Sequence, residues 1–161
     1  MLDNTDKKIL TILQNDGRVT NSRLAQLVGL SPPAVLERVR RLEKSGVIDK
    51  YVAILDRSKA GYSVQTIVMV CLSHHQTPSL KNVKERLTRM DEVLEVHQLT
   101  GDVDFLLKVA VKDMHAYTDF VNNKLSGIPG IQNVKTSFIL DTLKNNTALT
   151  LTFDENEKPR K

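Results

Sequence analysis

The sequence predicts an α+β protein in two parts, and three observations predict it. In the first 45 residues, three short stretches place apolar residues at three- and four-residue spacing with turn residues between them, which is the pattern of small amphipathic helices. From residue 64 onward the pattern becomes β-branched runs alternating with further helical stretches, in the order strand, helix, strand, strand, helix, strand. Charge divides with the pattern: residues 1–60 hold 11 Lys and Arg against 7 Asp and Glu, while residues 61–161 hold 12 of each. The whole formal charge of +4 therefore lies in the first third, which suggests a nucleic-acid-facing module joined to a neutral one.

Asp3 is placed to cap the first helix, and Asp6, three residues on, meets the positive end of its dipole. Ile9, Leu10, Ile12 and Leu13 form its apolar stripe, and Asn15-Asp16-Gly17 stops it. Asn21 begins a shorter helix that offers Leu24, Ala25, Leu27 and Val28 to the same core. Gly29 allows the left-handed backbone of a tight turn, and Leu30 plugs the core beneath it. Ser31 restarts the chain as an N-cap whose hydroxyl is expected to take an orphan amide, with Pro32 at the first helical position where its missing N–H costs nothing. Two short helices joined by so few residues cross steeply, which is helix-turn-helix geometry.

On the third helix Val35, Val39 and Leu42 share one stripe with Leu36 at its edge, while Pro33, Ala34, Glu37, Arg40, Arg41 and Lys44 face away. A helix with a small first turn and cationic later turns fits a DNA major groove; a solvated basic helix has the same pattern. On the DNA reading, Arg40, Arg41 and Lys44 are the phosphate contacts, and Ser31, Pro33, Ala34, Glu37 and Arg38 approach base edges or the groove wall. Glu37 is expected to hold Arg40 or Arg41 by a pair three or four residues on, with acceptance from a cytosine amino group as the alternative. So few base-reading side chains predict degenerate recognition of A·T-rich palindromes, assisted by DNA deformability.

Ser45-Gly46 ends this helix, residues 47–55 alternate as a strand, and residues 56–63 with Gly61 form a linker. The expected division is a helix-turn-helix domain at 1–46, a hinge strand and linker at 47–63, a strand-and-helix domain at 64–153, and a polar tail at 154–161. In the third part, residues 64–73, 93–100, 105–111 and 134–143 read as strands, with a short fifth at 148–153. Helices are expected at 80–90, with Val83 and Leu87 inward, and at 114–125, stopped by Gly127-Ile128-Pro129-Gly130. This order is the split βαβ, or ferredoxin-like, arrangement: two helices cover one sheet face and leave the other bare. Val64, Val68, Val70, Leu107, Val109 and Ile139 are expected to give the sheet apolar surface on both sides, so that two copies pair through it.

Other classes find less support. No leader and no apolar run of bilayer length stands in the sequence, so the cytoplasm is expected and no membrane partner. Cys71 lies in an apolar run and reads as a packed thiol. His74-His75 point opposite ways on a strand end with no ligand at metal spacing, and His97 and His115 stand alone, so no metal is expected. No Walker loop, dinucleotide fingerprint, Ser/His/Asp order or paired catalytic carboxylates call for an enzyme or a cofactor. The turn Thr100-Gly101-Asp102-Val103-Asp104 leaves two readings open. It is an ordinary β-turn with solvated aspartates, or a place where successive amides meet a carboxylate while an Asp accepts from an ammonium, as an α-amino acid requires.

Several motifs in order carry a resemblance: Leu2-Asp3-x-x-Asp6-x-x-Ile9-Leu10, Asp16-Gly17-Arg18, Gly29-Leu30-Ser31, Arg38-Val39-x-x-Leu42-x-x-Ser45-Gly46-x-Ile48, Gly101-Asp102-x-Asp104-Phe105 and Pro129-Gly130-Ile131. Residues 2 to about 151 closely resemble the Lrp/AsnC (feast/famine) transcriptional regulators. The resemblance implies an N-terminal winged helix-turn-helix, a hinge strand, and a ferredoxin-like effector and dimerisation domain. It implies double-stranded DNA and further copies of the chain as partners, in dimers that assemble to octamers, and a cytoplasmic place on the nucleoid. It also implies an amino acid or related metabolite as effector, held between dimers by Thr100, Gly101, Asp102, Val103 and Asp104, with Met114, Thr136, Ser137 and Phe138 as side walls. Ser137 stands where the leucine-responsive type commonly has an aromatic, which argues against leucine. An architectural DNA-binding protein without effector, or an enzyme built on the ferredoxin-like half, are the competing readings.

Overall fold

In the computed structural model, which describes residues 2–73 and 77–153, Asp3 and Asp6 cap the first helix reciprocally. Asp3 Oδ1 accepts from the Asp6 N–H at 2.7 Å and Asp6 Oδ2 from the Asp3 N–H at 3.3 Å, opening α1 (Asn4–Asn15). Helix α2 (Asn21–Val28) is capped by Thr20, whose hydroxyl accepts from the Arg23 N–H. It ends on Gly29 at φ 76°, where the Gly29 and Leu30 amides both donate to the Ala25 carbonyl. Helix α3 (Pro32–Lys44) follows. Ser31 has the extended backbone of an N-cap, but its hydroxyl takes no amide, contrary to expectation. Pro32 and Pro33 remove the N1 and N2 donors, which leaves the Ala34 amide as the remaining candidate, and the Ser31 hydroxyl does not take it.

Ile9, Leu10, Leu24, Ala25, Val35, Val39 and Leu42 form the buried centre of this three-helix unit. Full burial of the Ile, Leu and Val side chains among them contributes roughly 1.5–3 kcal/mol each. Leu27, expected inside, is instead 49% exposed. Residues 47–55 form no strand: the Val47 and Ile48 amides donate to the Leu42 carbonyl, Ile48 joins the core, and Val52, Ile54 and Leu55 are exposed. Alternation specifies an extended backbone; it does not supply the neighbour whose hydrogen bonds make a strand. Residues 148–153 are likewise not a fifth strand of the sheet. They belong to the helical unit, where Leu151 packs against the core.

The second unit, residues 55–143, is built on a four-stranded antiparallel sheet in the order β2-β3-β1-β4. Its elements are β1 (Val64–Leu72), α4 (Thr77–Thr88), β2 (Val93–Gln98), β3 (Phe105–Val111), α5 (Met114–Asp119) and β4 (Ile131–Phe138). Helix α5 continues through Phe120–Leu125 in a wider winding, in which the Ser126 amide reaches back five residues to the Val121 carbonyl. The last strand begins three residues earlier than expected and stops at Phe138.

Val83 and Leu87 of α4, with Tyr117 and Phe120, cover Val68, Val70, Phe105, Leu107 and Val109. Val68, Val70, Leu107 and Val109 thus share one face, correcting the expectation that they serve both. Val68 pairs with Leu107 and Val70 with Phe105, and side chains directly opposite in a ladder point the same way. The other face carries Ile67, Met69, Leu106 and Lys108, where Lys108 reaches Glu95 of β2 at 2.8 Å.

Candidate DNA interface and effector site

Two acid–base pairs with matching three-residue spacing organise the helical unit. Asp3 and Asp6 lie three residues apart at the N-cap and in the first turn of α1, Arg38 and Arg41 one turn apart on α3, and they meet between the helices. Arg38 Nη1 donates to Asp3 Oδ2 at 2.6 Å and to Asp6 Oδ1 at 2.8 Å, and Arg41 Nη2 donates to both Asp6 oxygens at 2.8 and 2.7 Å. The Asp6 side chain is 2% exposed, so this carboxylate is satisfied almost wholly by arginines and one backbone amide. Burial pushes the Asp3 carboxyl up, but its hydrogen bonds to Arg38 and the Asp6 amide and the nearby arginine charges outweigh this and hold it below the ordinary range. The hydrogen bond to Asp3 raises the Arg38 guanidinium in return, against the opposing effect of burial.

This arrangement sorts the expected DNA residues. Ser31, Pro33, Glu37, Arg40 and Lys44 are exposed and Ala34 is half-buried. Among the described residues, Glu37, Arg40 and Lys44 make no hydrogen bond or ion pair, so Glu37 does not hold Arg40 or Arg41 as expected; Asp6 holds Arg41 instead. Arg38, three-quarters buried in that network, is spent on α1, and Arg41 keeps only part of its surface free. The signal for this network was in the sequence, in two like-charged pairs at equal spacing. It could not be read without knowing that α1 and α3 touch along those faces.

The turn between β2 and β3 is held at its base. The Leu99 amide donates to the Asp104 carbonyl, the Asp104 amide to the Val70 carbonyl, and Asp104 Oδ2 accepts from the Leu72 amide at 2.7 Å. Asp104 is therefore committed to β1. Asp102 is exposed with a carboxylate that has no partner among the described residues, while its carbonyl accepts from the Cys71 thiol at 3.3 Å. Gly101 sits at φ 109°, and the amides of Gly101, Asp102 and Val103 donate to nothing among the described residues. Thr100 is exposed beside them.

The expected side walls lie elsewhere. Met114, 52% exposed, begins α5 beyond the far end of β3, so the strand's length of roughly 20 Å separates it from the turn. Thr136 and Phe138 face α5: the Tyr117 hydroxyl donates to Thr136 Oγ1 at 2.5 Å, and the Tyr117 and Phe138 rings meet edge-on at 5.1 Å. Ser137, between them, points to the open face of the sheet. Register sets Phe138 opposite Thr66, whose other neighbour is Val109, toward the Met114 end. One chain thus carries two separate groups, Thr100–Gly101–Asp102–Val103 at one end of the sheet and Met114 with Phe138 toward the other.

Residues 65–149 match the model of the Lrp/AsnC ligand binding domain, and residues 2–49 match that of a winged helix-turn-helix DNA-binding domain. The chain belongs to the Lrp/AsnC family. It is 36% identical over 149 residues to the transcriptional regulator AzlB of Bacillus subtilis, covering 92% of this chain and 95% of that protein. It is 35% identical over 150 residues to the leucine-responsive regulatory protein of Escherichia coli K12, covering 93% and 92%. A Neisseria meningitidis transcriptional regulator solved as a complex with L-Met superposes with a TM-score of 0.89 at 34% identity, covering 93% of this chain and 97% of the other. An AsnC family regulator from Agrobacterium tumefaciens gives 0.87 at 36% identity, covering 92% and 97%. As a member of the Lrp/AsnC family, the chain is a DNA-binding transcriptional regulator. Its helix-turn-helix is α2 and α3, and its ferredoxin-like half is the ligand-binding domain. No helix among the described residues is long and apolar enough to cross a membrane.

Proposed function

We propose that this regulator reads DNA as a pair of α3 helices and responds to an α-amino acid held at the turn 100–104. The observation that carries the effector reading is the juxtaposition of the Gly101, Asp102 and Val103 amides with the Asp102 carboxylate, all without a partner among the described residues. Donors for an α-carboxylate and an acceptor for an α-ammonium stand on one short turn. The L-Met complex of the Neisseria regulator supports an amino acid as the class of effector. Because Met114 and Phe138 stand toward the other end of the sheet, a second copy supplies those walls, and the effector then sits between dimers of a larger assembly such as an octamer.

At the DNA, Arg40 and Lys44 contact phosphates, while Ser31, Pro33, Ala34 and Glu37 approach the bases. Arg38 and Arg41 act mainly by holding α3 on α1. The exposed, unpartnered state of Arg40, Lys44 and Glu37 supports this division. The site of action is the cytoplasm, on the nucleoid. The effector changes how the dimers are set and hence how far apart the α3 helices stand.

Calorimetry of the full chain against the twenty amino acids, L-methionine first, tests the effector reading; heat from none of them sinks it. A gel shift on the DNA upstream of the protein's own gene, with and without the amino acid that binds, tests the coupling. An unchanged shift pattern would leave an architectural protein.

A further inference from the structure

The chain end returns to the helical unit and is gripped there by its main chain. Gln14, in the last turn of α1, donates through Nε2 to the Leu149 carbonyl at 3.2 Å and accepts through Oε1 from the Leu149 amide at 2.6 Å. The Leu149 side chain is 74% exposed, so the grip does not depend on it. Two residues on, Leu151 packs against the core that Ile9, Leu10 and Val35 build. Residues 47–51 run beside the same end of α1, and an apolar groove of about 350 Å³ lies between them, bordered by Leu10, Leu13, Ile48, Tyr51, Leu149 and Leu151. The chain therefore leaves the helical unit and re-enters it at one place. No strand ladder holds residues 144–153.

We propose that Gln14 is a positioning residue for DNA binding: by holding Leu149 it turns the single hinge at 47–55 into a double tether, so that the two α3 helices of a pair are presented together. A unit on one extended linker explores many orientations, and each must be given up when the second recognition helix binds. A second attachment removes that freedom beforehand and raises the effective concentration of the second helix at its half-site. The first helix to bind gains nothing from it. The proposal rests on the reading that two copies bind one DNA site.

The test uses the full chain and a duplex selected in vitro by the wild-type protein, together with the same duplex cut to one half-site. Gln14→Ala removes both hydrogen bonds; Leu149→Pro removes the amide without changing a residue of α1, α2 or α3; Leu149→Ala keeps the main-chain grip and serves as control. Amide hydrogen exchange at Leu149 reports release of the segment in Gln14→Ala. Gln14→Ala and Leu149→Pro are expected to weaken binding to the full duplex on the order of tenfold while leaving the half-site within about twofold, with Leu149→Ala like wild type. Equal losses on both duplexes would mean that the segment only stabilises the fold, and no loss on either after release would mean that the tether is idle; each overturns the proposal. A wild-type protein that gains nothing from the second half-site overturns the paired reading itself, and the proposal with it, before any variant is measured.

Discussion

The Asp6 carboxylate, nearly inaccessible to water, receives both hydrogen bonds of Arg41 Nη2 at 2.8 and 2.7 Å, so the recognition helix is fastened to α1 by one of its own cations. Arg38 adds a bond to the same carboxylate and one to Asp3. Asp6→Ala removes the shared acceptor and half of the α1 cap, but both arginines keep access to solvent. The expected loss is about 1–3 kcal/mol, toward the lower part of what breaking a buried charged network costs. Urea unfolding followed by helical circular dichroism measures it, and a loss below a few tenths would show that the network carries no stability.

On the proposed reading of the DNA interface, the same pairing separates the cations free for phosphate from those held by α1. Arg40→Ala and Lys44→Ala are each expected to reduce the slope of log affinity against log salt by about 0.9, the effect of one phosphate contact. Arg41→Ala, already neutralised by Asp6, is expected to change that slope much less. Asp6→Asn releases Arg41 and steepens the slope. Fluorescence anisotropy across a salt series distinguishes these outcomes, and equal slopes for the Arg40 and Arg41 variants would refute the division.

Acid acts on the helical unit through Asp3. Its folded-state carboxyl lies below the unfolded one, because Arg38 and the Asp6 amide together outweigh burial. The unfolded chain therefore binds more protons between the two values, and stability rises with pH across that window. This contribution is fully present above the ordinary carboxylate value of about 3.9 and is lost as pH falls below it toward the depressed folded value. Asp3→Asn is expected to flatten the stability profile below about pH 4. Thermal unfolding at a series of pH values reads the difference.

Gly101→Ala tests the proposed effector role of the turn 100–104. Nothing lies within 4 Å of an added Cβ, so the cost comes from the backbone at φ 109° and not from a clash. A strain of roughly 1–2 kcal/mol is expected to re-form the turn and turn its amides away. Amino-acid binding by calorimetry should fall by at least tenfold while DNA affinity without effector is unchanged. Retained binding would place the effector elsewhere.

Tyr117→Phe removes the hydroxyl that donates to Thr136 but keeps the edge-on contact with Phe138. The expected destabilisation is about 1 kcal/mol, that of a net hydrogen bond with Thr136 left unpaired. Chemical denaturation checks it.

The cap at Asp3, the turn at Gly29 and the helix start at Pro32 were legible along the chain, because each acts on neighbours within four residues, whereas the hydrogen bond expected of Ser31 is not made. The order of strands and helices was legible for the same reason, since periodicity is a local property, and with it came the family. Which residues share a sheet face was misread: Val68, Val70, Leu107 and Val109 are collected on one side by a register that no single strand contains. What Arg38 and Arg41 do, where Leu149 docks, and how far Met114 stands from Gly101 depend on contacts between residues 32 to 135 positions apart, or on the length of a whole strand. By itself, then, the sequence determined the three helices of the first unit and the order of the four strands and two helices of the second, but not the ends of those elements nor whether 47–55 and 148–153 pair as strands. Only the tertiary structure decided which of the chain's charges are already spent on one another, because a cation's value to DNA depends on the partner it would have to leave.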